Sequence, residues 1–338
     1  MEGNIQLDLL KKLVSAFGPS GYEDEVAEII IEEIGNFVDE IKIDRLGNVI
    51  ALKKGKNQDG SIMTVAHMDQ IGIVITSIDE NGYLRFTGVG HLNPYAAISQ
   101  CIVFKNRIIG YIVKEEISEI GNLKLSNLYI DIGTSSKEEV VQKINIGDFG
   151  VLFSNFIING DRISSGALDN RIGCYVLTQT IRNIRKPEVD VYFVFTVQEE
   201  TCMSGATTSA YEIEPDSAIV IDVTPSGDTP KGVTSSVKMG EGCTIKVMEN
   251  GLICNPKIKQ YLTDLAEKNN IKYQYEVLEG GSTDGSKIHI SKTGVLTGVI
   301  SIPSRYIHSS HEMVDVKDVN SAINLLTKAL EEYHFVIN

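Results

Sequence analysis

The chain has 338 residues, of which 42% are hydrophobic and 22% are charged. These fractions are ordinary for a globular protein and exclude a disordered chain or a disulfide-rich miniprotein. The 45 Asp and Glu residues outnumber the 31 Lys and Arg residues, and the formal net charge of -14 disfavours binding to nucleic acid or to an anionic membrane.

The sequence contains no segment typical of a membrane span or of a secretion signal. No run approaches the roughly 18 consecutive apolar residues of a spanning helix, and residues 1–10 lack a basic region followed by an apolar core and a cleavage site. The five cysteines are odd in number and form no Cys-x-x-Cys pair, which favours free thiols over a zinc ribbon. We therefore expect a cytoplasmic protein.

The first predicted elements are two helices. Apolar residues recur at helical spacing in residues 10–17, a Gly-Pro-Ser-Gly segment at 18–21 interrupts the pattern, and residues 23–34 resume it. Strand-like runs follow at residues 48–52 and 62–66. The second of these runs is almost entirely apolar, which predicts a buried strand.

The pattern of predicted elements changes between residues 71 and 163. Strand-like runs separated by Gly and Asn-Gly turns occupy residues 71–78, 83–87, 101–104, 108–114, 148–153 and 156–158. The pattern clearly indicates one helix in this region, a short one at residues 136–144. We interpret the region as an all-β domain inserted into another domain.

From residue 170 the pattern alternates between helix and strand. The predicted elements are at residues 170–184, 190–197, 206–211, 218–223, 256–269, 272–277, 295–302 and 318–333. Such alternation is typical of a layered α/β domain. We predict that residues 1–70 and 164–338 form this domain together, with residues 71–163 as the insertion.

The chemistry-bearing residues cluster at the ends of these apolar runs. His67 and Asp69 follow the strand at 62–66 and are two residues apart, so they point to the same side of the chain. A carboxylate beside a histidine can orient the ring and raise its basicity as a metal ligand. A histidine that is only hydrogen-bonded to a strand-end Asp explains the pair equally well.

Three further positions carry carboxylates beside apolar runs. Glu199 and Glu200 follow the run at 191–197, Asp222 closes the run at 218–221, and Asp169 precedes the helix at 170–184. Adjacent buried carboxylates are costly unless they are paired or bind a cation. Asp169 could instead be a helix N-cap, and Asp222 could be a solvated strand end.

Together these residues indicate a metal centre. The carboxyl ends of parallel strands meet at one edge of a sheet, and His308 after the run at 295–302 adds a second imidazole. Two histidines with three or four carboxylates suit zinc, cobalt or manganese, and suffice for two ions with one bridging carboxylate. His311, three residues further on, competes with His308 for the ligand position.

In these residues and in the motifs that contain them, the sequence resembles the M42 family of dinuclear metallo-aminopeptidases. The motifs that carry the resemblance are AHMDQIG (66–72), SSGALDNRIG (164–173), QEE (198–200), IDVTPSGDTP (221–230), GGSTDG (280–285) and SRYIHS (304–309). The resemblance spans nearly the whole chain. It implies a three-layer α/β/α catalytic domain with a mostly parallel central sheet, and a small β-barrel-like inserted domain used for oligomerisation.

The resemblance also implies a role for each residue of the set. His67 and Asp222 would bind one ion, Glu200 and His308 the other, and Asp169 would bridge the two. Glu199 would be the general base that takes a proton from a water bridging the ions, and Asp69 would orient His67. Candidate substrate-binding residues are Gly281, Thr283 and Arg305, although Arg305 could equally form a structural ion pair.

The implied activity is release of one residue at a time from a free peptide N-terminus. The implied cofactors are two divalent ions per subunit, zinc or cobalt with manganese as a further option, and the implied assembly is a homo-oligomer from dimer to dodecamer. The sequence departs from the usual family pattern at Gln70, Asn170 and Thr201-Cys202, where Glu, Asp and Val-Gly are more common. His91, His289 and His334 are expected to be structural or exposed.

Three other functions remain open at this point. A related dinuclear carboxypeptidase or deacylase would reuse the metal set, and a metal-binding protein could lack catalysis altogether. A glycoside hydrolase would need facing carboxylates about 5 to 9.5 Å apart, which adjacent residues of one strand do not provide. The chain also has no Trp to stack on a sugar ring.

Overall fold

The computed structural model describes residues 6–57, 60–117 and 119–333. Its helices are α1 (Leu7–Ser15), α2 (Asp24–Ile34), α3 (Pro94–Ala97), α4 (Lys137–Val140), α5 (Leu168–Asn183), α6 (Glu199–Cys202), α7 (Ser204–Ile213), α8 (Pro256–Lys268), α9 (Gly285–Ile288) and α10 (Val316–Glu331). Its strands are β1 (Glu40–Ile43), β2 (Val49–Lys53), β3 (Ser61–His67), β4 (Gly72–Ile78), β5 (Leu84–Val89), β6 (Cys101–Phe104), β7 (Ile109–Lys114), β8 (Leu128–Asp131), β9 (Phe149–Leu152), β10 (Ile157–Asn159), β11 (Arg162–Ser165), β12 (Asp190–Thr196), β13 (Ser217–Pro225), β14 (Cys243–Glu249), β15 (Leu252–Ile253), β16 (Tyr273–Val277), β17 (Leu296–Arg305) and β18 (Glu312–Asp315).

The larger sheet has 12 strands, with the main path in the order β1-β2-β12-β3-β13-β17-β18-β11-β10. Its centre is parallel, since β3 lies between β12 and β13 and β13 pairs with β17 in the same direction. Antiparallel strands flank this centre on both sides. The predicted α/β fold with a parallel central sheet is confirmed, with the parallel pairing concentrated in these four strands.

The central strands are buried on both faces because helices cover each side of the sheet. All residues of β13 except the last are buried, and β3 is buried after its first residue. Apolar side chains from α1, α2, α5, α8 and α10 pack on one face, and those from α7 and α9 pack on the other. This gives the predicted three layers, and it explains why the central strands are continuous apolar runs.

The inserted region forms a closed barrel in the strand order β4-β5-β8-β7-β6-β9. It has a hydrophobic core of its own, which includes Ile73, Phe104 and Ile130. The division of the chain at residues 71 and 163 stays a prediction. Hydrogen bonding joins β10 to β11, and β11 to β18 of the larger sheet, rather than to the barrel.

Some local features differ from the expected elements. Glu199 and Glu200 lie in the short helix α6 rather than at a strand end, because Gln198 adopts a left-handed conformation (φ 59°) that turns the chain after β12. Residues 243–253 form β14 and β15, which the sequence patterns did not indicate. Among the described residues, no helix is long and apolar enough to cross a membrane.

Candidate metal centre

The predicted ligands meet at one edge of the parallel centre of the sheet. His67 is the last residue of β3, Asp222 lies near the end of β13, and His308 follows β17. Glu199 and Glu200 follow β12 in α6. The carboxyl ends of these parallel strands therefore deliver their polar side chains to a common point.

Three of these side chains form a first possible ion site, which we call group 1: His67, Asp169 and Asp222. Their ligand atoms all lie within 4.8 Å of one another. The Nε2 atom of His67 is 3.2 Å from Oδ1 of Asp169 and 3.6 Å from Oδ1 of Asp222. All three residues are buried.

A second set, group 2, consists of Asp169, Glu200 and His308. The Nε2 atom of His308 is 3.2 Å from Oδ2 of Asp169 and 3.2 Å from Oε2 of Glu200. Asp169 is thus common to both groups and offers one oxygen to each. His311 belongs to neither group, and its backbone carbonyl accepts a hydrogen bond from Ser164.

The two groups fit divalent cations by their chemistry. Each combines one imidazole nitrogen with two carboxylates, a ligand set suited to zinc, cobalt or manganese. In addition, Oε1 of Glu200 is buried and accepts no hydrogen bond from the residues that the structure describes. A buried carboxylate oxygen without a partner is costly, and a bound cation would remove this cost.

The electrostatics of the site reflect an excess of carboxylates. Burial raises the pKa of Glu199 well above its ordinary value, and neighbouring carboxylates such as Asp222 add to this, although His67 opposes it. Burial likewise raises the pKa of Glu200 to about 7, despite a hydrogen bond with His308. A cation would favour the ionised forms.

The pKa values of the two imidazoles are raised as well, although burial itself acts on them in the opposite direction. Burial by itself lowers the pKa of His308, but hydrogen bonds with Asp169 and Glu200 outweigh it and raise the value to about 11. Burial also lowers the pKa of His67, and the carboxylates around it again raise it above its ordinary value. The surroundings therefore favour positive charge at both ring positions.

Asp69 connects His67 to the two glutamates. Its side chain is fully buried and accepts hydrogen bonds from the backbone N–H of Glu199 (3.0 Å) and of Glu200 (3.1 Å) and from the hydroxyl of Ser20 (2.7 Å). Its Oδ1 atom lies 3.5 Å from Nδ1 of His67, and its backbone carbonyl is closer, at 3.1 Å. Asp69 thus contacts His67 through both its side chain and its backbone.

Glu199 lies beside the two groups and belongs to neither. Its Oε2 atom is 3.9 Å from Nε2 of His67, and the side chain lines a cavity of about 1210 Å³ together with His67, Asp222 and His308. A buried carboxylate in this position can exchange a proton with a molecule in the cavity without first leaving a ligand position.

Several residues that sequence reasoning did not assign support the site. Glu312 accepts hydrogen bonds from the backbone N–H groups of Asp169 and His308, and Glu23 accepts one from the backbone N–H of Gln198. Both glutamates are buried. Glu312 lies three residues after the motif at 304–309, whereas Glu23 lies near none of the motifs.

His91, which was expected to be structural or exposed, also lies at the site. It is exposed, but it lines the same cavity, and its ring centroid is 6.3 Å from that of His308. The preceding Gly90 approaches Glu200 closely, since a Cβ atom on this glycine would lie 3.2 Å from Cβ of Glu200. The barrel therefore contributes to the cavity. The Nδ1 atom of His289 donates a hydrogen bond to the backbone carbonyl of Gly285 at 3.0 Å, and His334 lies outside the described residues.

The candidate substrate-binding residues differ in how far their polar groups are already engaged. Gly281, Thr283 and Arg305 all line the cavity. The backbone N–H and hydroxyl of Thr283 both donate to Glu249 at 2.8 Å. The Arg305 guanidinium donates twice to Asp228, at 2.9 and 2.6 Å. Substrate contact by these residues stays a prediction.

The departures from the family pattern have local partners. Gln70 accepts a hydrogen bond from the buried guanidinium of Arg171, at 3.2 Å. Asn170 donates to the backbone carbonyl of Ile221, which an Asp carboxylate could not do. Cys202 lines the cavity at the end of α6.

Comparison with known proteins agrees with this geometry. A sequence profile described as M42 glutamyl aminopeptidase matches residues 47–325. The chain belongs to the M42 family. The M42 assignment makes it a peptide hydrolase of the aminopeptidase class.

Individual members of the M42 family and solved structures match over almost their full length. A relative from Acetivibrio thermocellus, whose name carries a provisional aminopeptidase assignment, is 46% identical and covers 98% of this chain and 100% of its own. The aminopeptidase APDkam598 from Desulfurococcus kamchatkensis superposes with a TM-score of 0.95 at 39% identity, over 98% and 96% of the two chains. The TET1 peptidase of Pyrococcus horikoshii, which can assemble into a tetrahedron or a large octahedral shell, gives 0.86 at 32%, over 97% and 99%.

Proposed function

We propose that this aminopeptidase depends on two divalent metal ions and removes residues from the free N-terminus of peptides, with Glu199 as the general base. The observation that carries the proposal is the sharing of Asp169 between group 1 and group 2. One carboxylate with an oxygen for each group is the arrangement expected for a pair of neighbouring ions.

The ligands of the proposal are His67 and Asp222 for the first ion and Glu200 and His308 for the second, with Asp169 between them. Zinc, cobalt or manganese suits these nitrogen and oxygen donors. When bound, such ions lower the pKa of water and polarise a carbonyl group. They would also offset much of the negative charge that the buried carboxylates concentrate here.

Glu199 would carry the proton through the reaction. It accepts a proton from the attacking water as the new C–O bond forms, and it returns that proton to the amide nitrogen as the C–N bond breaks. Burial raises the pKa of Glu199, and a higher pKa makes its carboxylate a stronger base towards the attacking water. The backbone hydrogen bond to Asp69 holds this residue in place.

The cavity has room for a peptide chain whose N-terminus lies at the metal groups. The residues of groups 1 and 2, Glu199, Gly281 and Arg305 all line it. A free α-amine among these carboxylates would be favourably placed. We propose that this amine fixes the register of cleavage, so that only the first peptide bond is hydrolysed.

We also propose a homo-oligomer, in line with the assembly of the Pyrococcus horikoshii TET1 peptidase. Mass measurement in solution tests this part independently of catalysis.

The activity is tested with one peptide in two forms, with a free and with an acetylated N-terminus. We expect the metal-loaded protein to release the first residue from the free peptide only, as identified by mass spectrometry, and to lose this activity after chelation. Cleavage of the acetylated form would instead favour a deacylase or carboxypeptidase. Activity on a β-glucan that survives chelation would favour a glycoside hydrolase.

A further inference from the structure

Glu312 is a buried carboxylate that holds two members of group 2 by their backbones. Its Oε2 atom accepts the N–H of Asp169 at 2.8 Å, and its Oε1 atom accepts the N–H of His308 at 2.9 Å. The side chain is only 2% exposed. Both carboxylate oxygens are thus directed at residues that belong to the same candidate ion site.

We infer that Glu312 is a positioning residue that sets the affinity of group 2 for its ion. The inference rests on the proposed function, because it takes group 2 to be an ion site. Glu312 belongs to neither group of candidate ligands. It acts by fixing where the carboxylate of Asp169 and the imidazole of His308 lie.

The backbone at both residues needs such support. His308 adopts a left-handed conformation (φ 61°), which is rarely populated by residues other than glycine. Asp169 has non-helical backbone angles at the start of α5 (φ -78°, ψ 107°). Neither N–H takes part in a regular helix or strand ladder, and an N–H that is shielded from water and has no acceptor destabilises the fold. One carboxylate removes this cost at both positions.

Glu312 is itself held on a regular element. It is the first residue of β18, where it pairs with Ser165 of β11. The next residue, Met313, pairs with Arg305 of β17. Hydrogen bonding on two sides fixes β18. The Glu312 carboxylate therefore determines where the ligands lie, and the ligands do not determine where Glu312 lies.

Group 1 is supported in a different way. His67 lies in β3 and pairs with Thr196 of β12, and Asp222 lies in β13 and pairs with Ser301 of β17. Strand pairing therefore holds the two ligands that group 1 does not share. Loss of Glu312 should consequently weaken group 2 much more than group 1.

The test counts and titrates ions in the purified full chain with Glu312→Gln. Zinc bound per chain is measured by elemental mass spectrometry after dialysis, and the affinities are measured by competition with a zinc-binding dye. We expect two zinc ions in the unaltered protein, with one of the two affinities weakened about 10–100-fold in the variant and the other changed by less than about threefold. Two unchanged affinities would overturn the inference.

A second variant, Glu312→Asp, decides the matter if the Gln variant does not fold. It retains the charge but is one methylene too short to reach both N–H groups in the same way. We expect a measurable weakening of the same single affinity, smaller than that of the Gln variant where both can be measured. Equal weakening of both affinities, or of neither, would contradict a specific role at group 2.

Asp318 offers a matched control. It is also a buried carboxylate that accepts two backbone N–H groups, those of Gly240 (2.6 Å) and Gly242 (2.7 Å), but neither of these belongs to an ion group. Asp318→Asn should leave both zinc affinities intact, whatever its effect on the unfolding temperature. If it weakened zinc binding as Glu312→Gln does, the effect would be a general loss of structure.

Ion counting separates this inference from the proposed activity. Unaltered protein that binds two ions but does not cleave peptides would refute the aminopeptidase mechanism while leaving the role of Glu312 intact. Unaltered protein that cleaves peptides with both ions, together with normal affinities in both Glu312 variants, would leave the mechanism intact and refute the role of Glu312.

Discussion

The backbone N–H of Glu199 donates a hydrogen bond to the carboxylate of Asp69 over 3.0 Å. The same carboxylate accepts the N–H of Glu200, and its Oδ1 atom lies 3.5 Å from the ring of His67. Asp69 therefore connects a candidate ligand of group 1, a candidate ligand of group 2 and the proposed base. A change at this residue would disturb all three at once.

Glu199→Gln tests the proposed base. Gln has the same shape but cannot accept a proton, so kcat should fall about 10²–10⁴-fold, while two ions remain bound because Glu199 belongs to neither ion group. The matched variant Glu200→Gln should lose ion affinity at group 2. Steady-state kinetics and ion counting on the same samples check both statements. Full activity of Glu199→Gln with both ions bound would exclude this residue as the base.

Gln70→Glu tests the consequence of one departure from the family pattern. Arg171 is fully buried and donates to backbone carbonyls and to the neutral amide of Gln70, and burial lowers its pKa to about 10. A carboxylate at position 70 would give this charge a direct counter-charge. We expect the free energy of unfolding of the metal-loaded protein to rise by about 1 kcal/mol in urea denaturation. A lower stability than that of the unaltered protein would contradict this explanation.

Variants of Arg305 and Asp228 test whether Arg305 forms a structural ion pair or binds the substrate. The Arg305 guanidinium holds the pKa of Asp228 down at about 2. The stabilisation should therefore be present above pH 4 and disappear as the pH falls through about 2. At pH 7 we expect Arg305→Gln and Asp228→Asn each to lower the free energy of unfolding by about 1 kcal/mol, and the double variant to lower it by no more than either alone. Additive losses, with a raised KM for Arg305→Gln only, would assign Arg305 to the substrate.

The stability that Asp318 contributes depends on pH with the opposite sign to that of Asp228. Burial raises its pKa to about 7, so the folded chain retains this proton more strongly than the unfolded chain. The corresponding stability is present below about pH 4 and is lost as the pH rises through about 7. Relative to Asp318→Asn, the unaltered protein should lose more than about 1 kcal/mol between pH 5 and pH 8. A difference that stays constant over this range would show that Asp318 does not titrate there.

The fold and the five candidate ligands could be predicted because the ends of apolar runs carry polar residues and because the motifs around them resemble those of the M42 family. A buried parallel strand contains a continuous apolar run, and the polar residue that follows this run is visible in the sequence, as at His67 and at Asp222, beyond which β13 continues for three residues. Asp169 was harder to assign, since an Asp before a helix is usually a cap. Its backbone is instead non-helical, and its carboxylate lies between two imidazoles.

The residues that support the site could not be predicted, because their role depends on distant backbone groups. Glu312 and Glu23 follow no apolar run that would mark them, and they act through N–H groups that carry no sequence identity. His91 reaches the cavity through the placement of the barrel against the catalytic sheet. The sequence pattern does not indicate β14, because its residues Thr244 and Lys246 interrupt the apolar run. Their side chains contact the buried carboxylate of Glu276.

The most direct test of the two-ion account is a zinc titration of the chelated protein. Bound zinc per chain and release of the first residue from an unblocked peptide are measured in the same samples. The account predicts no release without zinc and full activity only when two ions are bound per chain. Full activity in the chelated protein, or full activity that is reached with only one zinc ion bound per chain, would contradict it.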